Sequence, residues 1–168
     1  MFMAVVLIGM MGSGKSSVGR TLAKQLGWVF VDLDHEIEKS TGKSVAKIFS
    51  DDGEQEFRRL ESERLRRIDR RHDLVLSVGG GAPLKQDNFE VMREIGTVVY
   101  LRAQLETILE RVQARPSKRP LLAENPEVKT RELLESRKAV YEQAEYTVDV
   151  EGTPLKVVAE RIRSFLGE

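Results

Sequence analysis

The chain has no cysteine, which excludes disulfide bridges, zinc–thiolate sites and thiol nucleophiles. It also lacks an excess of either charge. Its 27 basic side chains balance 27 acidic ones, so no bulk field favours nucleic acid or an anionic membrane. Long hydrophobic runs are missing as well. The apolar segment Met3 to Ile8 is too short for a bilayer, and neither a basic leader nor a small-residue cleavage site accompanies it. There is no internal repeat or low-complexity tract. The expectation is a single domain over residues 1–168, cytoplasmic and monomeric, with no nucleic-acid or membrane partner.

What is present begins with Gly9-Met10-Met11-Gly12-Ser13-Gly14-Lys15-Ser16, a match to G-x-x-x-x-G-K-[ST]. The run before it reads as a strand buried on both faces. The stretch after it, Ser17 to Leu26, carries Val18, Leu22 and Leu26 at helical spacing. Strand, glycine-rich turn and helix is the context this motif needs. Glycines let successive N–H groups approach a phosphate, and a helix N-terminus adds about half a positive charge. Lys15 can reach the β- and γ-phosphates, and the Ser16 hydroxyl can sit on Mg²⁺. A mere glycine-rich connection explains the glycines but not Lys15-Ser16 at a fixed offset. The chain is therefore expected to bind a nucleoside triphosphate.

Val29 to Asp34 reads as a second strand ending in acid. In extended backbone Asp32 and Asp34 share one face, suited to metal and general-base work. Strand-end and capping aspartates are the equal alternative, with Asp34 capping a helix from His35 to Ser40. Ser44 to Phe49 reads as a short capped helix, and a longer one runs from about Gly53 to Arg70. The longer helix alternates arginines with acids, the pattern of a solvated face. On it Arg58 and Glu61 lie three apart, so the glutamate could hold the guanidinium as a fixed fork. A third strand, Leu74 to Val78, runs into Gly79-Gly80-Gly81. Three glycines at a strand's C-terminal end suit close approach of backbone to a ligand, where a plain turn needs only one. Pro83 then opens a helix to about Glu94.

Thr97 to Leu101 is a fourth strand, followed by a helix from Gln104 to Val112. Ala114 to Leu122 holds three cations and two prolines, either a solvated linker or a lid that brings a cation to the phosphates. A helix from Val128 to Gln143, a fifth strand from Tyr146 to Val150 and a last helix to Phe165 complete the chain. Five apolar strands separated by helices predict a parallel sheet covered on both faces.

Taken together, these motifs resemble the shikimate kinase family over nearly the whole chain. They are the phosphate loop, Asp32-x-Asp34, Gly53-Glu54-x-x-Phe57-Arg58-x-x-Glu61, Gly79-Gly80-Gly81, Arg119-Pro120-Leu121-Leu122 and Arg137-x-x-x-Tyr141. The resemblance implies a three-layer P-loop kinase fold like that of nucleoside monophosphate kinases, with strand order 2-3-1-4-5. Residues 33–61 would form the substrate-binding region and residues 112–125 the lid. It implies transfer of the γ-phosphate of ATP to the 3-hydroxyl of shikimate, in aromatic amino-acid biosynthesis. Gly12, Ser13, Gly14, Lys15, Ser16, Ser17 and Arg119 would bind ATP, with Lys15, Asp34 and Arg119 catalytic. Asp34, Arg58, Gly80, Gly81 and Arg137 would hold shikimate, and Glu61 would orient Arg58. Mg²⁺ would be bound directly by Ser16 and through water by Asp32. The rival readings are another small-molecule kinase, such as a gluconate kinase, and a nucleotide-switched binding protein without activity.

Overall fold

A computed structural model describes residues 2–114 and 125–168. Its strands among those residues are β1 (Ala4–Ile8), β2 (Val29–Asp32), β3 (Leu74–Ser77), β4 (Thr97–Arg102) and β5 (Tyr146–Asp149). They form one parallel sheet in the order β2-β3-β1-β4-β5. β1 lies at the centre, with Val6 paired to Leu76 on one side and Val98 on the other. Its continuous apolar composition follows from that position, because helices cover both faces and no side is left for water. Val5, Val6, Leu7 and Ile8 are all fully buried.

The helices among those residues are α1 (Lys15–Leu26), α2 (Leu33–Thr41), α3 (Val45–Arg66), α4 (Gln86–Ile95), α5 (Leu105–Gln113), α6 (Pro126–Tyr141) and α7 (Leu155–Leu166). α1 packs against α7 on one side of the sheet. α2 and α3 pack together, joined by an Arg64–Glu36 ion pair at 2.9 Å. Ser44 caps α3 by accepting from the Lys47 N–H at 3.1 Å, and Glu38 takes the Val45 N–H at 2.9 Å. Two capping side chains thus fix how the chain leaves α2 and enters α3.

The predicted helices at 44–49 and 53–70 are one element interrupted at Gly53, where φ is 86° and ψ is 167°. It stops at Arg66 rather than Arg70, because Arg67 and Ile68 turn the chain back through i−3 hydrogen bonds. Pro83 does not open a helix to Glu94. It sits in a 3₁₀ turn, Ala82–Leu84, and α4 begins after Lys85. A third correction bears on the site. β2 ends at Asp32, and Asp34 lies in the first turn of α2 instead of extending the strand. Most of the expected lid, Arg119 included, lies outside the described residues.

Candidate active site

The phosphate loop spans the C-terminal edge of β1 and the first turn of α1. Gly9, Gly12 and Gly14 have φ of 146°, 80° and 93°, the left-handed region closed to most side chains. At Gly9 the constraint is also spatial, since a Cβ there would lie 2.7 Å from the Leu101 carbonyl oxygen. Gly14 caps α1 and accepts from the Val18 N–H at 2.9 Å, so the helix begins two residues earlier than its hydrophobic spacing predicts. Lys15 is largely buried, its Nζ donating to the carbonyls of Gly9 at 2.8 Å and Met10 at 2.9 Å. The ammonium therefore lies within the curl of the loop, where a phosphate would meet it. Ser13 is buried with its Oγ unpartnered among the described residues.

Asp32 is fixed by two elements at once. Its Oδ2 accepts from Ser16 Oγ at 2.7 Å, and its Oδ1 accepts the N–H groups of Asp34 at 3.1 Å and His35 at 3.4 Å. Asp32, not Asp34, therefore caps α2, and the pairing of both aspartates on one strand face does not occur. Asp34 is free for another task. Its Oδ1 is buried and unpartnered among the described residues. Burial first, then the neighbouring carboxylates of Glu61 and Asp32, push its pKa from 3.8 up to about 7, with Lys15 opposing them. A carboxylate tuned near neutrality suits proton acceptance.

Ser16 and Asp32 offer a hydroxyl and a carboxylate, hard oxygen donors that fit Mg²⁺. Among the described residues no group of three or more His, Asp or Glu could hold a metal ion. An ion here would thus take its remaining ligands from a nucleotide and water, the ordinary situation for Mg²⁺ in phosphoryl transfer.

The glycine triplet carries the other half of the site. A Cβ at Gly79 would lie 2.8 Å from Glu61 Oε2 and 3.2 Å from Asp34 Oδ1. At Gly80 it would lie 3.1 Å from Arg137 Nη1 and 3.3 Å from the Met11 amide nitrogen. At Gly81 it would fall 2.6 Å from the Arg58 Cζ. None of the three has φ in the left-handed region, so the requirement here is space. By lacking side chains they admit two carboxylates, two guanidiniums and the phosphate loop around one short segment. Glu61 is fully buried and holds Arg58 Nη1 at 2.9 Å, leaving its Oε2 unpartnered among the described residues. Burial pushes the Glu61 pKa up, against the pull of Arg58 and Arg137. Arg137 is only 2% exposed, and its Nε has no partner among the described residues.

Sequence reasoning missed Arg111. Its Nη1 donates to the Gly12 carbonyl at 2.9 Å and would lie 3.3 Å from a Cβ at Gly14, placing a second cation on the phosphate loop. In sequence it is one charged residue of an amphipathic helix. Only the packing of α5 beside the loop sets it apart. Ser17, expected at the nucleotide, is exposed in α1.

A phosphate loop at the edge of a five-stranded parallel sheet, facing buried acids and guanidiniums, defines a P-loop small-molecule kinase. The family model for shikimate kinase matches residues 11–167. The shikimate kinase of Thermodesulfovibrio yellowstonii is 43% identical over 94% of this chain and 91% of its own length. The solved structure of shikimate kinase from Acinetobacter baumannii in complex with shikimate superposes with a TM-score of 0.93, at 41% identity, covering 98% of this chain and 93% of that one. The chain belongs to the shikimate kinase family. A gluconokinase from Sinorhizobium meliloti shares the fold alone, with a TM-score of 0.55 at 22% identity.

Proposed function

We propose that this protein transfers the γ-phosphate of ATP to the 3-hydroxyl of shikimate, as a monomeric cytoplasmic enzyme whose single domain spans residues 1–168. The observation that carries the substrate reading is Arg137. A guanidinium almost wholly out of water, with Nε unpartnered among the described residues, is costly unless an anion completes it. Arg58 stands beside it across the Gly80–Gly81 peptide, held at a fixed angle by Glu61. Two guanidiniums in a partly dry pocket suit a small carboxylate, and buried acid oxygens beside them suit hydroxyls. The complex with shikimate formed by the Acinetobacter baumannii relative supports the choice of that acid polyol.

In this reading the loop amides from Gly12 to Ser17, with Lys15 and Arg111, hold the triphosphate. Ser16 and, through water, Asp32 would hold Mg²⁺, which would supply positive charge to the triphosphate when bound. Asp34 orients the acceptor hydroxyl and takes its proton as the new O–P bond forms. Arg119, in the lid at 112–125, supplies a further cation. Phosphoryl transfer asks mostly for positioning and charge stabilisation, and these residues offer both.

The test is ADP release coupled to shikimate, gluconate and nucleoside monophosphates in parallel. Turnover with shikimate alone is the expected result. Turnover only with another acceptor overturns the substrate, and tight ATP binding without any turnover overturns the activity.

A further inference from the structure

Beyond the residues expected to touch a substrate, one buried side chain links the two halves of the site. Tyr141 ends α6, one turn beyond Arg137, and is completely buried. Its hydroxyl donates to the Gly80 carbonyl at 2.6 Å and lies 3.8 Å from the Met10 sulfur. The same sulfur lies 3.9 Å from Arg137 Nη1. The ring of Tyr100 in β4 packs against that of Tyr141 at 5.1 Å between centroids.

A buried phenol needs some acceptor, and any nearby carbonyl would meet that need. The choice of this carbonyl has a consequence. Gly80 C=O and Gly81 N–H belong to one planar trans peptide, so fixing the oxygen fixes the direction of the N–H on its far side. A Gly-Gly peptide has no side-chain sterics of its own to hold it, and left alone it would rotate. This peptide is also the one whose two α-carbons face Arg137 and Arg58.

We infer that Tyr141 is a positioning residue of the acceptor site, locking the Gly80–Gly81 peptide so that its amide and the flanking guanidiniums keep one geometry toward the acceptor's carboxylate. The role rests on the reading of Arg58 and Arg137 as the carboxylate grip. Burial pushes the Tyr141 pKa up to about 12, so the hydroxyl remains a donor throughout the working pH range. Met10, reached by both Tyr141 and Arg137, completes the wall. Its own carbonyl accepts from Lys15, so the wall is continuous with the phosphate loop.

The experiment is Tyr141→Phe in the full chain, which keeps the ring and deletes only the hydroxyl. Steady-state constants are measured for ATP, for shikimate and for its carboxamide analogue, which lacks the charge. Losing one neutral hydrogen bond that organises the grip should raise the shikimate KM about three- to tenfold. The ATP KM should barely move, and the preference for acid over amide in kcat/KM should shrink by a similar factor. An unchanged shikimate KM overturns the inference. Equal losses toward shikimate, amide and ATP overturn it too, since they report general loosening. Arg137→Ala, run alongside, separates the two layers: if that variant binds shikimate normally, the carboxylate reading itself fails, whatever Tyr141→Phe does.

Discussion

Ser16 Oγ donates to Asp32 Oδ2 across 2.7 Å, tying the first turn of α1 to the end of β2. The bond brings together the two side chains expected around Mg²⁺, and the same aspartate caps α2. One carboxylate thus ties the proposed metal ligands to the start of α2, which carries Asp34.

Asp32→Asn keeps a good helix cap but removes a charge from the ion's surroundings. The Mg²⁺ concentration for half-maximal rate should rise roughly 10- to 100-fold, while the thermal midpoint moves little. A magnesium titration of initial rates at saturating ATP checks it; an unaltered requirement would remove Asp32 from the metal's shell.

Asp34→Asn should leave ATP affinity intact and lower kcat about 10²- to 10⁴-fold, the contribution of a positioned proton acceptor. Single-turnover measurements with prebound ATP isolate the step. Near-normal turnover would leave Asp34 with no part in the chemistry.

The same residue sets a pH dependence of both rate and stability. Rate should rise with pH through about 7 as Asp34 ionises, and that limb should vanish in Asp34→Asn. Stability runs the other way. The folded-state pKa lies above the unfolded 3.8, so the folded chain holds the extra proton between these values. The stabilisation is complete below about pH 4 and is lost as pH rises through about 7, on the order of 4 kcal/mol in the limit. Asp34→Asn, which never ionises, should therefore melt higher than the parent at pH 8 without ligands. A lower midpoint would contradict the buried carboxylate's cost.

Gly79→Ala and Gly81→Ala should differ. At Gly81 the new methyl meets the partly exposed end of Arg58, which can move toward solvent only by leaving Glu61, so the fold survives and the shikimate KM rises roughly 10- to 100-fold. At Gly79 it meets Glu61 Oε2 at 2.8 Å and Asp34 Oδ1 at 3.2 Å, both on buried acids. That variant should lose kcat as well as affinity and be destabilised by about 1–3 kcal/mol. Urea unfolding with steady-state kinetics on both proteins would show whether the two sites behave alike.

Arg137→Ala should weaken acceptor binding by about 2–5 kcal/mol, roughly 30-fold or more in KM, because the carboxylate loses a buried partner. Isothermal titration with shikimate measures it directly. An unaltered affinity would place the carboxylate elsewhere.

Local chemistry was legible in the sequence wherever adjacent residues do the work. The glycines, Lys15 and Ser16 act through one loop, so their spacing announced it. Continuous apolar runs announced buried parallel strands, and Arg58 with Glu61 one helical turn later announced an ion pair at a helix's own repeat. The misreadings occurred where one residue had two local options. Asp32 and Asp34 fit a strand face or a helix cap equally well, and Ser16, sixteen residues earlier, helps decide between them by bonding Asp32.

The sequence by itself determined the phosphate loop and the parallel α/β class, because short-range spacing and hydrophobic period encode them, while the residues of the proposed acceptor site came from its motifs' resemblance to a family. Tertiary structure alone decided that Arg137 and Arg58 meet across one peptide, that Asp34 and Glu61 share the space above Gly79, and that Arg111 rests on Gly12. Those relations join segments tens of residues apart. The closure of the sheet and the burial of each group create them, and no pattern within a single segment carries that information.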